Sequence, residues 1–433
     1  MSSEWPTVTI DQVCDLIVDC VNKTAPVVDG PTPYRMIRTT NIRNGRIDRN
    51  ECRYVDEATY AKWTRRADLR FGDVLLTREA PIGEIGFVLE PKGFFLGQRV
   101  MQYRANAAKL SPRFLLYSFL SPALQHQFGS HEGSGSVVSH IRVGDCFKFK
   151  LRLPPLPVQD EIASLLGALD DRIALLRETN ATLEAIAHAL FKSWFLDFDP
   201  VRAKQQGLAP AGMDEATAAL FPDGFEESAL GMVPTGWRVG TLGDVSLNPR
   251  LGAKPESIPP ETPYFGLEHM PRRSIALASA GTAEGLESGK FWFERDDVLF
   301  GKLRPYFHKV GLAPTRGVCS TDILVVRPNS PSLLGFVAMH ASSDALIAHT
   351  TMLSNGARMP RTSWQDIAGF KVVLPPEEVA AAFNGVAYAL FERIYANIDV
   401  ARALSETRDA LLPRLISGQL RLPETHALVE EVA

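Results

Sequence analysis

The longest regular pattern in the chain is a heptad repeat of apolar positions within Gln159–Asp197. Apolar side chains recur in alternating steps of four and three from Ile162 to Trp194, and Asn180 is the one polar residue on this seam. This spacing predicts a long amphipathic helix with coiled-coil geometry. At about 1.5 Å per residue the helix would extend roughly 58 Å. A single apolar stripe of this length needs a partner that covers it.

Short apolar runs separated by glycine and proline precede this helix, up to about Pro155. The runs at 73–77, 84–89 and 99–103 predict strands, and Pro112–Leu120 predicts a helix. The first segment is therefore predicted to be a domain of mixed strands and helices.

After the long helix, the Gly-, Pro- and Ala-rich stretch 201–235 predicts an extended connector.

The pattern of the first segment starts again at Trp237 and ends in a second long helix from about Glu377 to Ser417. The chain is therefore predicted to be a tandem duplication of one domain and one helix. From the Leu-Pro-Pro run onward the two copies keep a constant offset of 221 residues (374 − 153). Matching pairs are Trp5/Trp237, Thr9/Thr241, Asp73/Asp297, Arg104/Arg327, Leu153/Leu374, Asp145/Asp366, Arg172/Arg393 and Leu190/Leu411.

Each long helix is the natural cover for the apolar stripe of the other, because a whole domain separates them and lets them pack antiparallel. The predicted fold is α/β (α+β), with two similar mixed α/β domains separated by two long antiparallel helices in a pseudo-two-fold tandem repeat. The predicted segments are domains at 1–155 and 236–376, helices at 156–200 and 377–420, the connector at 201–235 and a tail at 421–433.

The helix seams carry two asparagines, Asn180 on the first and Asn397 on the second, where the first has Leu176 (397 − 221). A two-fold axis at position 178 of an antiparallel pair would bring the two side chains face to face. A buried polar pair on a seam fixes helix register at some cost in stability. The alternative is that each asparagine is merely solvated.

Composition narrows the class of protein. The 433 residues carry a net charge of −4, so any nucleic-acid-binding surface must be local rather than global. Five scattered cysteines without a C-x-x-C pair suit reduced thiols in a cytoplasmic protein. We expect neither an export signal nor a membrane span, since no basic stretch precedes an apolar run and no 18-residue apolar stretch occurs.

A search for catalytic motifs finds none that is complete. The phosphate-binding loop, the dinucleotide fingerprint, the H-E-x-x-H zinc motif, the nucleophile elbow and the Pro-Pro-aromatic signature of amino-methyltransferases are absent. Glu90 and Lys92, downstream of Asp73, have the spacing of a metal-dependent nuclease, but the second copy lacks them. We therefore expect a chain that is non-catalytic by itself and holds no metal.

Basic and polar residues cluster at corresponding places in the two copies, where they would suit DNA. Arginine forks read guanine edges, asparagine reads adenine, and cations and hydroxyls hold phosphates. A solvated charged surface is the alternative interpretation of these loops. In the first copy the candidates are Arg35, Arg38, Thr40, Asn41, Arg43, Arg46, Arg78, Gln98, Arg99, Ser134, Ser136, His140 and Arg142. In the second they are Arg272, Arg273, Lys302, Arg304, His308, Asn355, Arg358 and Arg361.

The central helix and the residues after it resemble the central conserved region of specificity subunits of bacterial type I restriction–modification enzymes. The resemblance covers essentially the whole chain and is weaker in the second helix. It rests on Leu153-Pro-Pro-Leu-Pro-Val-Gln159, Leu169-Asp-Asp-Arg-Ile173, Thr182-Leu-Glu-Ala-Ile186, Ala189–Arg202 and Leu230–Trp237.

The resemblance implies a bacterial cytoplasmic protein whose two target-recognition domains each read one half of a split site in double-stranded DNA. It also implies that two methyltransferase subunits dock on the helices and that restriction (translocase) subunits join them. S-adenosylmethionine, ATP and Mg²⁺ would then belong to those partners, with no cofactor bound by this chain. Two alternatives remain: a single-chain nuclease or methyltransferase, and a coiled-coil scaffold without a DNA role.

Overall fold

The computed structural model describes residues 5–21, 23–131, 140–354 and 359–420. The chain divides into two compact units. Unit 1 comprises Met1–Ile173 and Ala403–Ala433, and unit 2 comprises Ala174–Arg402. Each long helix therefore contributes one half to each unit.

Unit 1 contains the first mixed domain. Its strands are β1 (Thr7–Thr9), β2 (Cys14–Asp19), β3 (Tyr34–Ile37), β4 (Ile42–Arg43), β5 (Arg46–Ile47), β6 (Arg53–Val55), β7 (Val74–Arg78), β8 (Ile82–Phe87), β9 (Phe94–Leu96), β10 (Val100–Ala105) and β11 (Lys150–Arg152). Its short helices are α1 (Glu57–Trp63), α2 (Pro112–Leu120) and α3 (Pro122–Gly129). The predicted helix at 112–120 and the three predicted strands are thus present, with strand ends shifted by one or two residues.

An antiparallel sheet in the order β2-β10-β7-β8 is the centre of this domain. A three-stranded sheet, β6-β3-β9, pairs β3 parallel to β9, and β1 pairs with β11. The rings of Tyr103, Phe119, Phe128 and Phe149 stack edge to face in a buried row. This row joins β10 to α2 and α3, and such aromatic pairs add to the stabilisation from burial alone.

Unit 2 contains the second domain and the segment before it. Helices are α5 (Asp199–Gln205), α6 (Glu215–Ala219), α7 (Leu334–Ala341), α8 (Asp344–Leu353) and α9 (Trp364–Ala368). Strands are β12 (Phe225–Ser228), β13 (Gly231–Pro234), β14 (Arg238–Thr241), β15 (Ser246–Leu247), β16 (Gly252–Ala253), β17 (Pro263–Phe265), β18 (Gly281–Thr282), β19 (Lys290–Phe293), β20 (Val298–Gly301), β21 (Val310–Leu312), β22 (Gly317–Cys319), β23 (Ile323–Pro328) and β24 (Lys371–Leu374).

The topology of the second domain repeats that of the first. The sheet β15-β23-β20-β21 corresponds to β2-β10-β7-β8, the β14–β24 ribbon to β1–β11, and the parallel pair β17–β22 to β3–β9. A bidentate ion pair also recurs: Arg104 binds the buried Asp73 through two 2.8 Å contacts, and Arg327 binds Asp297 at 2.7 and 2.6 Å. The duplication read from the sequence is therefore present in the fold.

Two 40-residue helices follow the domains, α4 (Leu156–Phe195) and α10 (Glu377–Ile416). Their halves run antiparallel within each unit. In unit 1, Arg408 donates to the Asp170 carboxylate at 2.7 Å, and in unit 2 the rings of Phe191, Trp194 and Phe195 surround Phe383. α4 begins at Leu156, the predicted start, directly after the Pro155 break.

The two seam asparagines meet inside unit 2. Asn397 donates its amide to the Asn180 side-chain oxygen at 2.8 Å, and the Asn180 amide donates to the carbonyl oxygen of Ile394 at 3.4 Å. Both side chains are buried, at 6% and 2% exposure for Asn180 and Asn397. The face-to-face contact expected from a two-fold at position 178 is therefore present, and neither amide is merely solvated.

The segment between α4 and the second domain differs from the extended connector that its composition predicted. It forms α5, α6 and the β12–β13 hairpin, and Phe198 and Phe221 from it pack against Trp237. Aromatic residues within a Gly- and Pro-rich stretch are the reason, because their burial offsets the entropy of ordering the chain. No helix among the described residues is long and apolar enough to cross a membrane.

Candidate nucleic-acid interface

Backbone hydrogen bonds bring the candidate segments of the first domain together. The Arg78 amide donates to the carbonyl oxygen of Arg99 at 2.8 Å, and the Ile141 amide donates to the carbonyl oxygen of Arg78 at 2.9 Å. The Thr39 hydroxyl donates to the Ala80 carbonyl oxygen at 3.1 Å. The three clusters singled out in the sequence thus form one surface. We call residues 38–46, 78–80, 98–99 and 140–142 the first surface.

The second domain uses the same backbone connections at the equivalent positions. The Lys302 amide donates to the carbonyl oxygen of Asp322, and the Thr362 amide donates to that of Lys302, both at 2.9 Å. The Arg304 amide also donates to the carbonyl oxygen of Pro360 at 2.8 Å. We call residues 272–273, 302–308 and 359–362 the second surface.

The two surfaces therefore share a frame and differ in the side chains that the frame carries. Arg78 in the first domain is replaced by Lys302 in the second, and Arg99 by Asp322. Main-chain hydrogen bonds do not depend on side-chain identity, so these positions can change without loss of the frame. The main-chain hydrogen bonds thus position the surface, and the side chains supply its charges and hydrogen-bonding groups.

Most exposed cations of the first surface contact acceptors within their own domain. Arg43 lies 3.7 Å from the Glu84 carboxylate, Arg99 binds Glu79 at 2.9 Å, and Arg46 donates to the carbonyl oxygen of Asp170 on α4 at 3.1 Å. Such exposed ion pairs contribute little and are easily exchanged for a phosphate. Arg142 and Thr40 are also exposed, whereas Gln98 and His140 are half-buried. An amide of Gln98, once its oxygen and nitrogen are interchanged, donates to the Thr24 hydroxyl.

Three arginines of the first domain turn partly inward. The Arg35 guanidinium lies over the Phe94 ring at 4.7 Å, and Arg38 donates to the carbonyl oxygen of Glu51 at 3.1 Å. Arg78 donates to the carbonyl oxygen of Ile141 at 3.0 Å. The Nε atoms of all three are buried and have no hydrogen-bond partner among the described residues. Their guanidinium groups therefore serve packing in this conformation as much as the surface.

Asn41 is a correction to the sequence-based site. It is only 2% exposed, and its side-chain oxygen accepts the backbone N–H of Arg38 at 2.9 Å. In the second domain His269 takes the same place, its Nδ1 accepting the backbone N–H of Gly266 at 2.9 Å. Because the side chain closes a turn, it is not presented to a base edge. We therefore leave Asn41 out of the interface.

The second surface presents cations around an aromatic ring. The guanidinium groups of Arg272 and Arg304 lie 4.3 and 5.8 Å from the Phe307 ring centre. Arg273 binds Asp344 at 2.9 Å, and Arg361 lies 3.4 Å from Asp322. Arg272, Arg273, Arg304 and Arg361 are exposed, and Lys302 is half-buried. The arrangement leaves a net positive surface of the kind that tracks a polyanion.

His308 is the second correction. It is 6% exposed, and its Nε2 lies 2.9 Å from the carbonyl oxygen of Ser342. Burial lowers the pKa of His308, so the ring is neutral near pH 7. It holds the 302–308 loop against α8 rather than facing solvent. The remaining candidates Ser134, Ser136, Asn355 and Arg358 lie outside the described residues.

Left-handed backbone is concentrated at these two surfaces. Arg99, Arg273, Arg304 and His308 have φ of 69°, 53°, 52° and 51°, and Arg250 nearby in the second domain has 47°. Residues other than glycine adopt this region at a cost, and such positions cluster at binding sites where the surrounding structure enforces them. The backbone thus aims arginines in directions that an unstrained loop would not.

Sequence reasoning missed Asn248, Arg250 and Gln365. These side chains line a groove of about 410 Å³ in the second domain, together with Lys302 and Arg361. A signal was available in the chain. The offset between the two copies changes from 232 residues (245 − 13) to 230 (262 − 32) across this stretch, so the second copy departs from the first here.

The residues that suggested a nuclease have structural roles. Asp73 is fully buried in its ion pair with Arg104, as Asp297 is with Arg327, and Glu90 pairs with Arg49 on the surface. Within the described ranges no cluster of three or more His, Cys, Asp or Glu side chains could hold a metal ion. The carboxylates that suggested a metal-dependent nuclease are therefore held in ion pairs.

The chain is similar to specificity subunits of type I restriction–modification enzymes. Residues 2–185 match the family model described as the type I restriction modification DNA specificity domain. The chain is 23% identical to the type I restriction enzyme HindI specificity subunit of Haemophilus influenzae, covering 81% of this chain and 87% of that protein. It is also 23% identical to the MjaIX specificity subunit of Methanocaldococcus jannaschii, covering 82% and 78%. The type I restriction–modification S subunit of M. genitalium shares the fold, with TM-score 0.52 and 15% identity over 95% of this chain and 96% of that one.

Proposed function

We propose that this chain is a DNA specificity subunit of a type I restriction–modification system and that it reads a bipartite site in double-stranded DNA. Each domain, at about 1–155 and 236–376, would recognise one half-site through its surface. The chain itself would carry out no chemistry. Its part is to place partner enzymes on a defined sequence.

The observation that carries this proposal is the shared frame with unlike side chains. Arg78 and Lys302 occupy one position of that frame, and Arg99 and Asp322 occupy another. Direct readout needs different donors and acceptors for different bases, while the geometry that delivers them can stay constant. Two copies of one scaffold with different reading groups suit two unlike half-sites. A scaffold without a DNA role would not explain why left-handed backbone and clustered cations occur on both surfaces.

On each surface, some side chains would contact DNA phosphates and others would contact bases. Exposed cations such as Arg43, Arg142 and Arg272 would exchange weak partners or solvent for DNA phosphates, which makes affinity fall with salt. Arginine forks and polar side chains that reach the major groove would then supply sequence discrimination of about 1–3 kcal/mol for each good contact.

We propose two methyltransferase subunits as the docking partners along α4 and α10, joined by restriction (translocase) subunits. Those partners would supply S-adenosylmethionine, ATP and Mg²⁺ chemistry in the bacterial cytoplasm. Methylation of an adenine within a duplex requires that the base be rotated out of the stack, and that step belongs to the methyltransferase. This chain would fix which adenine is presented.

The test is to map methylated adenines in DNA from cells that carry this chain and its methyltransferase partner. A bipartite motif is expected, and DNA from cells without this chain should lack it. A second strain would exchange residues 236–372 for those of a family member with a different motif. Only one half of the motif should change. A change in both halves, or methylation without any motif, would contradict independent reading domains.

The enzyme alternative has its own test. The purified chain alone would be incubated with duplex DNA, Mg²⁺ and labelled S-adenosylmethionine. We expect neither cleavage nor methyl transfer, and activity that survives repeated purification would revive the nuclease or methyltransferase interpretation.

A further inference from the structure

The second domain departs from the first where its first sheet strand ends. In unit 1, β2 pairs with β10 from Cys14 to Asp19. The corresponding β15 pairs with β23 only at Ser246 and Leu247. The chain then leaves this sheet and joins the other one, where Gly252 and Ala253 of β16 pair with β19.

This early exit opens a groove along β23. Ile323 and Leu324 pair with β20 on one side, and their other side, which β2 covers at the equivalent place in the first domain, lines the groove. Asn248 and Arg250, from the crossing segment, form one wall. The groove therefore lies where the second copy has a shorter strand, whereas β2 covers the equivalent part of β10 in the first domain.

Three cations from separate parts of the chain face this groove: Arg250 after β15, Lys302 after β20, and Arg361 before α9. No acidic residue lines it. Two carboxylates lie beside it: Asp322 is 3.4 Å from Arg361, and Asp366 accepts from the Ser363 hydroxyl at 2.8 Å. Arg250 and Lys302 have no acidic partner in the described part of the chain, and Arg250 is exposed. A groove lined by three cations suits an anionic ligand.

We propose that this groove holds backbone phosphates of the DNA and that Arg250, Lys302 and Arg361 bind them. This phosphate site would belong to the second domain and not to the first. The inference rests on the proposed function. It adds contacts that the repeat of the two domains does not imply. A cation inside a concave groove can meet a phosphate that projects from the duplex. Arg250 lies outside the frame that the two domains share, so we assign it to positioning the DNA and not to reading a base.

The left-handed backbone at Arg250, with φ of 47°, supports the assignment independently. An arginine has no conformational reason to occupy that region, whereas glycine or asparagine does. Holding the guanidinium over the groove is a use that would retain it there. The half-buried rings of Phe291 and Trp364 flank the same space and limit how far the side chain can swing.

The experiment compares the full chain, assembled with its methyltransferase partner, with three variants of it. R250Q removes the charge, R250K keeps it, and R238Q removes an exposed arginine of β14 that does not line the groove. Affinity for a duplex carrying the mapped motif would be measured at several salt concentrations. R250Q should lower the slope of log affinity against log salt by about 0.9 and weaken binding about eightfold at 0.1 M salt.

R250K and R238Q should keep the wild-type slope, and the methylation motif should be unchanged in every variant. The assignment is overturned if R250Q relaxes one base position, which would make Arg250 a reader, or if its slope matches that of R238Q. An unchanged melting temperature for R250Q excludes misfolding as the cause of weaker binding. Absence of specific binding by the wild-type assembly would count against the proposed function itself, so the two failures are distinguishable.

Discussion

The buried asparagine pair of the long helices gives the sharpest prediction. We would replace Asn180, Asn397 or both by leucine, which fills a similar space without polar atoms. In the N397L variant the Asn180 oxygen loses its 2.8 Å donor, and in N180L the Asn397 amide loses its acceptor. Each single change therefore leaves a polar group buried without its partner, whereas the double change leaves none.

The expected size of the effect follows from this asymmetry. A buried polar group deprived of its partner costs about 1–3 kcal/mol, and replacing both partners by apolar groups is nearly neutral. Since about 1.4 kcal/mol is a factor of ten, each single variant should open its helices roughly 5- to 150-fold more often. The double variant should lie within a few fold of wild type.

Hydrogen exchange measured by mass spectrometry on peptides covering 174–190 and 385–402 would report this opening. It resolves local stability in a chain too large for a single two-state unfolding curve. Additive effects, with the double variant as labile as the two singles combined, would refute the idea that the pair acts as a unit. If the pair also sets register, the double variant should methylate sites of more than one spacer length.

Three further predictions concern other parts of the fold. Burial lowers the pKa of His340 to about 3, so the unfolded chain takes up the proton first and stability falls as pH drops through 6.5. Between pH 7.5 and 5.5, His340 should lower the free energy of unfolding of the wild-type chain by about 1.4 kcal/mol. Thermal melting over the same pH range should show that H340L loses about 1.4 kcal/mol less than wild type. Breaking the buried ion pair in D297N should cost about 3–5 kcal/mol, measured by exchange of β20 and β23 amides, with R238Q as an unaffected control. Adding one heptad to each long helix, about 10.5 Å, should lengthen the spacer of the methylated site and leave both half-sites unchanged; an unaltered spacer would show that the helices do not set it.

Long-range regularities made much of the fold predictable. The seam from Ile162 to Trp194 and the constant offset between the copies predicted helices at 156–200 and 377–420, and the observed α4 and α10 begin at those residues and end earlier, at Phe195 and Ile416. That offset aligns Asn397 with Leu176, and an antiparallel two-fold at position 178 then predicts its contact with Asn180. Such patterns repeat many times along the chain, so the energies that they report add up and outweigh local irregularities.

The site was less predictable because single side chains decide it. Asn41 and Arg43 both read as DNA contacts, yet the amide of Asn41 turns back to cap its own turn. That choice depends on backbone angles that the composition of the loop does not determine. Arg250 was missed for the opposite reason, since it enters the site only because β15 stops after two residues. A strand end of this kind is set by tertiary pairing rather than by local propensity.

The separation of frame from side chains has a consequence for how specificity can change. The bonds from Lys302 to Asp322 and from Thr362 to Lys302 are main-chain bonds, and the Arg327–Asp297 pair lies beneath them in the sheet. Substitution of the half-buried side chain at 302 or 322 should therefore leave the surface folded, because main-chain bonds support it. Substitution at Asp297 removes that support and should abolish reading of a half-site without creating a new one. If the proposed function holds, substitutions at 302 or 322 should alter specificity and substitutions at Asp297 should remove it, because the former change side chains on the surface and the latter changes the support of the sheet.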